Sequence, residues 1–128
     1  MFHYTVETNQ SVDDAVQALE ASLKNRKFGV VWTMDVPAKL QEKGVDFDRS
    51  FKILEVCNPV EAKRVLTQNS LVGYFLPCKI VVYEEEGATK IGLPKPTFLM
   101  EVVNDPALKE IAATIEQTLI AAIDEAKA

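Results

Sequence analysis

Two cysteines are the residues in this 128-residue chain whose chemistry is most versatile, because a thiolate can act as a nucleophile, a redox centre or a metal ligand. Cys57 ends an apolar run and directly precedes Asn58-Pro59, a pattern typical of a helix start. If its thiol points toward the helix amides, the positive end of the helix dipole would favour the thiolate. The alternative is that Cys57 is a small buried hydrophobic residue at a strand end.

Cys78 and Lys79 lie side by side in a second apolar run. Cys78 alternates with Ile80 and Val82, which predicts a core residue, whereas Lys79 falls on the other face and must reach water or an anion. If the strands that hold the two cysteines pair, the sulfur atoms could approach each other, although a disulfide needs Cβ atoms about 3.8 Å apart. Our candidate ligand or thiol site is therefore formed by Cys57, Asn58, Cys78 and Lys79.

The rest of the chain offers little for metal binding or catalysis. His3 is the only histidine, so a zinc site would lack a fourth ligand and the usual short spacings. The acidic run at 84–86 is typical of a solvated turn, and Glu86-Gly87 predicts a hairpin turn. No Gly-rich phosphate loop, nucleophile elbow or Ser/His/Asp set is visible. We predict no metal and no cofactor, assign no catalytic residue, and leave open whether the chain is an enzyme.

Hydrophobic periodicity predicts one domain over residues 1–128, with strands and helices in alternation. Caps predict the helix starts at Ser11, Asn58 and Asp105, each placed before an amphipathic run. Residues 97–103 suit either a strand or a short helix, and we favour the helix. The predicted strands span 2–8, 28–34, 50–57, 74–84 and 89–93, and the other predicted helices span 11–26, 37–44, a segment from 59, and a C-terminal segment to about 125.

Long helices bracket a middle built mostly of strands, which predicts an α+β fold, an antiparallel sheet with helices packed on one face. Predicted strand 74–84 is apolar on both faces, so it is either covered on both sides within the chain or meets a second copy. We favour the second alternative and predict a homodimer, in which Lys79 could pair with an acid of the partner copy. Pro77 predicts that this strand starts at an edge or a bulge.

Two runs, FKILEVCNP at 51–59 and LPCKIVVYE at 76–84, resemble the family called "domain of unknown function 302". The resemblance covers most of the chain and is most specific over 51–84. It implies a β-α-β-β-β-β-α order similar to the TATA-box-binding-protein fold, and dimers. It brings no established activity and no catalytic residues. Lys79 stands where the family often has Arg, which keeps the charge and loses bidentate geometry.

Charge and hydropathy exclude several classes of protein. Lys and Arg number 14 against 19 Asp and Glu, for a net charge of −5, which predicts no nucleic-acid partner. No apolar run approaches the roughly 20 residues of a membrane span, and no signal-peptide pattern is present, so we predict no membrane association and a cytoplasmic location. We predict a homodimeric, noncatalytic module that binds a small ligand or a protein. The alternative is a thiol-dependent redox or metal-linked function centred on Cys57.

Overall fold

The computed structural model describes residues 1–128 and contains a five-stranded antiparallel sheet in the order β1-β5-β4-β3-β2. The strands are β1 His3–Thr8, β2 Gly29–Asp35, β3 Phe51–Cys57, β4 Cys78–Glu85 and β5 Ala88–Pro94. The helices are α1 Val12–Lys24, α2 Val36–Glu42, α3 Pro59–Gln68, α4 Pro96–Val103 and α5 Pro106–Ala126, with a 3₁₀ helix at Ser70–Phe75. The predicted α+β class is confirmed.

Side-chain caps begin three helices where the sequence predicted them. The side chains of Ser11, Asn58 and Asp105 each accept a hydrogen bond from an amide in the first helical turn. Pro59 and Pro106 occupy first-turn positions, where a missing amide hydrogen costs nothing. Local chemistry therefore determines where α1, α3 and α5 start.

The main core lies between one face of the sheet and the pair α1 and α5. Leu19 of α1, Leu119 of α5 and Ile80 of β4 are fully buried there. Burial of each such side chain stabilises the fold by about 1.5–3 kcal/mol before conformational entropy is counted. The Ser22 hydroxyl donates to the Ala122 carbonyl at 2.8 Å and links the two helices. The prediction that helices cover one face is confirmed for these two helices.

A second, smaller core lies beside the sheet, between α3, the 3₁₀ helix, α4 and α5. Its buried members are Val65, Val72, Met100, Leu108 and Ala112. Because α4 and the 3₁₀ helix contact the rest of the molecule mainly through this cluster, their positions depend on it.

Polar contacts attach these elements to α5. No side chain caps α4 at Lys95, and instead Glu116 of α5 accepts both the Thr97 amide at 3.0 Å and the Thr97 hydroxyl at 2.7 Å. At the N-terminus of α5, the Asp105 carboxylate accepts a hydrogen bond from the side-chain amide of Asn69 at 3.3 Å. This hydrogen bond lowers the pKa of Asp105. Together these contacts hold the 3₁₀ helix and α4 against α5.

The segment before β4 differs from the prediction. The strand starts at Cys78, whereas Ser70–Phe75 form the 3₁₀ helix and bury Val72 in the second core. Pro77 cannot donate to a ladder and lies just before the strand. Since β4 is a central strand, the prediction of an edge or a bulge at Pro77 was wrong.

Two other local predictions are confirmed. Glu86 and Gly87 both have positive φ, at 52° and 78°, and form the two-residue turn of the β4–β5 hairpin. The ambiguous segment at 97–103 is helical and belongs to α4.

Candidate functional site

A pocket of about 280 Å³ opens at the end of the sheet where β4 begins and β5 ends. Its walls come from α3, the 3₁₀ helix, α4 and α5, and eleven of its fifteen lining residues are hydrophobic. Met100, Leu99 and Ile115 are among its apolar lining residues, and the 83% exposed Tyr74 also lines it. Concave, mostly apolar surfaces with a few polar groups are typical of small-molecule sites.

A second concavity, of about 400 Å³, lies at the opposite end of β5. It is lined mainly by polar residues, among them Glu7, Asn9, Gln10 and Lys127. It lacks the apolar walls that desolvate a small molecule, so the first pocket is the better candidate site.

Cys78 lines the apolar pocket and also packs against the main core, as its alternation with Ile80 and Val82 predicted. Burial raises the pKa of the Cys78 thiol to about 11, with a smaller contribution from nearby Cys57. The thiol is therefore protonated at neutral pH, and it forms a neutral part of the pocket wall.

Cys57 occupies a different environment. Val56 and Cys78 are register partners, and side chains alternate along a strand, so Cys57 projects toward the other face of the sheet. Both cysteines are free, and both border a crevice of about 20 Å³ beside α3. That volume holds about one water molecule.

Asn58 occupies the helix amides that a thiolate at Cys57 would need. Its Oδ1 accepts from the amides of Val60 at 3.0 Å and Glu61 at 3.3 Å. These first-turn amides are the groups from which a Cys57 thiolate would have to accept. No group of three or more His, Cys, Asp or Glu side chains is placed to hold a metal ion.

Lys79 lies on the face of the sheet turned away from α1 and α5. It is the register partner of Glu55 in β3, and its Nζ donates to Glu55 Oε2 at 2.9 Å. Lys79 thus has an acidic partner within its own chain, and pairing with an acid of a second copy stays a prediction. Sequence analysis missed Glu55 because only the strand register places it beside Lys79.

The same open face carries an apolar group that we call the open-face patch. Met34, Ile53 and Val81 lie in register across three strands, and Phe51 stacks on Tyr83 with ring centroids 5.1 Å apart. None of these side chains belongs to either buried cluster. The patch consists of Trp32, Met34, Phe51, Ile53, Val81 and Tyr83.

Comparison with known proteins places the chain in a family. The family model described as "Domain of unknown function DUF302" matches residues 4–126. The chain belongs to the DUF302 family. The resemblance seen in the two sequence runs is thereby confirmed. The match spans all five strands apart from His3, the first residue of β1.

A crystal structure of an uncharacterized conserved DUF302 protein from Bacillus stearothermophilus is similar over 98% of each chain. The two share 60% sequence identity, and their TM-score is 0.95. No curated protein matches the chain. The likeness of the DUF302 fold to the TATA-box-binding protein stays a prediction. None of the helices combines the length and hydropathy needed to cross a membrane.

Proposed function

We propose that this DUF302 domain is a noncatalytic module that binds a small apolar molecule in the pocket beside β4 and pairs with a second copy through the open-face patch. The observation that carries the proposal is the pocket itself, an apolar concavity of about 280 Å³ that the chain builds and does not fill. A concave, mostly apolar surface with few polar groups is typical of small-molecule sites, so this pocket favours a ligand.

The size of the pocket indicates the size of the ligand. An apolar cavity of about 150 Å³ holds one benzene molecule. A volume of about 280 Å³ therefore suits an apolar body nearly twice as large, close to naphthalene.

The second copy is supported by the composition of the open-face patch. An antiparallel sheet with one wet face normally alternates apolar and polar residues, and here three strands present apolar side chains on that face. Trp32 is 47% exposed, and Trp, Tyr and Met are enriched in protein interfaces. A twofold dimer is the commonest way to cover such a face.

The alternative, a thiol-dependent function centred on Cys57, has weaker support. Asn58 already satisfies the helix amides that would favour a thiolate at Cys57. The Cys78 thiol is held in its protonated form by burial, which opposes its use as a nucleophile.

Ligand binding is tested by adding naphthalene to labelled protein and following amide shifts by NMR. We expect saturable shifts at the 3₁₀ helix and α4. Leu99→Trp should fill the pocket and abolish the shifts, because Leu99 lines it. Phe98→Trp is the matched control, since Phe98 is the neighbouring residue, is 44% exposed and does not line the pocket. Shifts that survive in Leu99→Trp would contradict the proposed site.

Assembly is tested by a native mass spectrum of untagged protein purified under reducing conditions. We expect the mass of two chains, and excess mass on the dimer would report a retained ligand. A bare monomer at micromolar concentration would contradict pairing through the open-face patch.

A further inference from the structure

We propose that the pocket selects a neutral ligand, an apolar body of about two fused rings without an ionised group. This inference rests on the proposed ligand-binding function and names the chemical class of the ligand. It follows from an inventory of charge and hydrogen-bonding capacity around the pocket.

The pocket offers no unpaired charge. Lys79 is the one charged residue among its fifteen lining residues. Its ammonium group lies 2.9 Å from Glu55 Oε2, and Glu55 is not a lining residue, so this charge is held against the neighbouring strand outside the pocket lining. No carboxylate lines the pocket to receive a cationic ligand.

The remaining polar groups of the lining side chains are neutral. The Cys78 thiol is protonated, because burial raises its pKa to about 11, and a thiol is only a weak hydrogen-bond donor. The Tyr74 hydroxyl belongs to a side chain that is 83% exposed. An ionised group carried into the pocket would lose its hydration without gaining a partner of opposite charge.

No buried polar side chain that lines this pocket lacks a hydrogen-bond partner. One buried side-chain atom in the chain, Glu61 Oε2, has no hydrogen-bond partner. Glu61 borders the crevice of about 20 Å³ beside α3, not the pocket. The pocket therefore recognises shape and apolar surface, with little directional polar contact.

The test uses three probes with the same number of heavy atoms: 2-acetylnaphthalene, 2-naphthoate and 2-naphthamidinium. They present a neutral ketone, a carboxylate and a cation on one naphthyl body. We expect the ketone to bind with an affinity that does not change with salt, and both ions to bind at least about tenfold more weakly. The ketone should lose binding in Leu99→Trp and retain it in Phe98→Trp.

The outcomes separate this inference from the function on which it rests. If 2-naphthoate or 2-naphthamidinium binds as tightly as the ketone and Leu99→Trp abolishes that binding, the pocket stands and the neutral class is wrong. If none of the three probes binds, or if Leu99→Trp leaves binding unchanged, the proposed pocket function itself is overturned.

Discussion

The pocket and the open-face patch are both apolar, and the chain covers each only in part, but they differ in shape. The pocket is concave, and its walls come from the 3₁₀ helix, three α-helices and the end of the sheet. The patch lies on the pleated surface of β2, β3 and β4. Ion pairs border it, Lys79 with Glu55 at 2.9 Å and Lys90 with Glu85 at 2.8 Å.

Because the two apolar surfaces differ in shape, we expect them to bind different partners. A concave wall can remove a small molecule from water on nearly every side. A sheet face contacts only one side of a small molecule, so it gains stability only when a surface of comparable size covers it. Hydrophobicity alone would not distinguish the two regions.

The largest expected effect comes from a charge in the centre of the patch. Ile53 lies in register between Met34 and Val81, and we expect Ile53→Asp to weaken self-association by about 1,000-fold, because the carboxylate would be buried without a partner. Sedimentation velocity across a concentration series measures the change. Thr5→Asp is the control, since Thr5 is exposed on β1, two strands away from the patch.

The proposal that the patch is a dimer surface distinct from the pocket would be contradicted if Ile53→Asp still formed dimers of wild-type affinity. The distinction would also be contradicted if this variant lost binding of 2-acetylnaphthalene while circular dichroism showed that its fold was retained. The pocket and the patch would then not be separate surfaces.

The next effect comes from enlarging the pocket. Met100 is 6% exposed, lines the pocket and belongs to the second core. Met100→Ala should lower the free energy of unfolding by about 2–3 kcal/mol, at the low end for such a change because one side of Met100 already borders an open volume. The matched change on the same helix, Val102→Ala, removes a 69% exposed side chain and should alter stability by less than about 0.5 kcal/mol.

Urea unfolding of both variants measures these values, with association followed in parallel. Met100→Ala should leave the proposed dimer intact because the second core and the open-face patch share no residue. A dimer that dissociates in Met100→Ala would show that the two regions are coupled.

A third prediction concerns the Cys78 thiol. Because its pKa rises from 9.0 to about 11, its thiolate fraction at pH 8 should be about 100-fold below that of an ordinary thiol, and alkylation should be slowed by the same factor. The rate should climb with pH until about pH 11. Peptide mapping after iodoacetamide treatment measures the alkylation rate of Cys78. The rate of Cys57 in the same chain is recorded in parallel.

Bound 2-acetylnaphthalene should slow Cys78 alkylation further, since Cys78 lines the pocket, and should leave Cys57 unaffected. Fast alkylation of Cys78 near neutral pH would remove the argument for a neutral pocket wall. Fast, pH-shifted alkylation of Cys57 alone would instead favour the thiol-dependent alternative.

Sequence analysis predicted the elements whose signals are local. The caps at Ser11, Asn58 and Asp105 and the turn at Glu86-Gly87 act within a few residues, so their chemistry can be recognised without the fold. The apolar run before Pro77 gave the wrong element, because its residues suit a strand as well as the 3₁₀ helix that buries Val72.

The candidate site was only partly predictable for the same reason. Cys78 and Lys79 were identified on β4, and both line the pocket. The walls contributed by Leu99, Met100 and Ile115 come from helices distant in sequence, and no local pattern indicates that α4 and α5 meet β4 there. Cys57 and Asn58 border the adjacent crevice beside α3, which Cys78 also borders, whereas Lys79 lines only the pocket.

The smallest expected effect concerns the ion pair between the two regions. Lys79 Nζ and Glu55 Oε2 are 2.9 Å apart, but 52% of the Lys79 side chain is exposed, so solvent screens the pair. In a double-mutant cycle of Lys79→Ala and Glu55→Ala, the coupling in unfolding free energy should stay below about 1 kcal/mol. The dissociation constant of the proposed dimer should likewise change by less than about fivefold in Lys79→Ala. A much larger loss of association in Lys79→Ala, without matching coupling to Glu55, would mean that Lys79 reaches an acid of the second copy. The border of the patch would then extend to the mouth of the pocket, and the two regions would form one continuous interface.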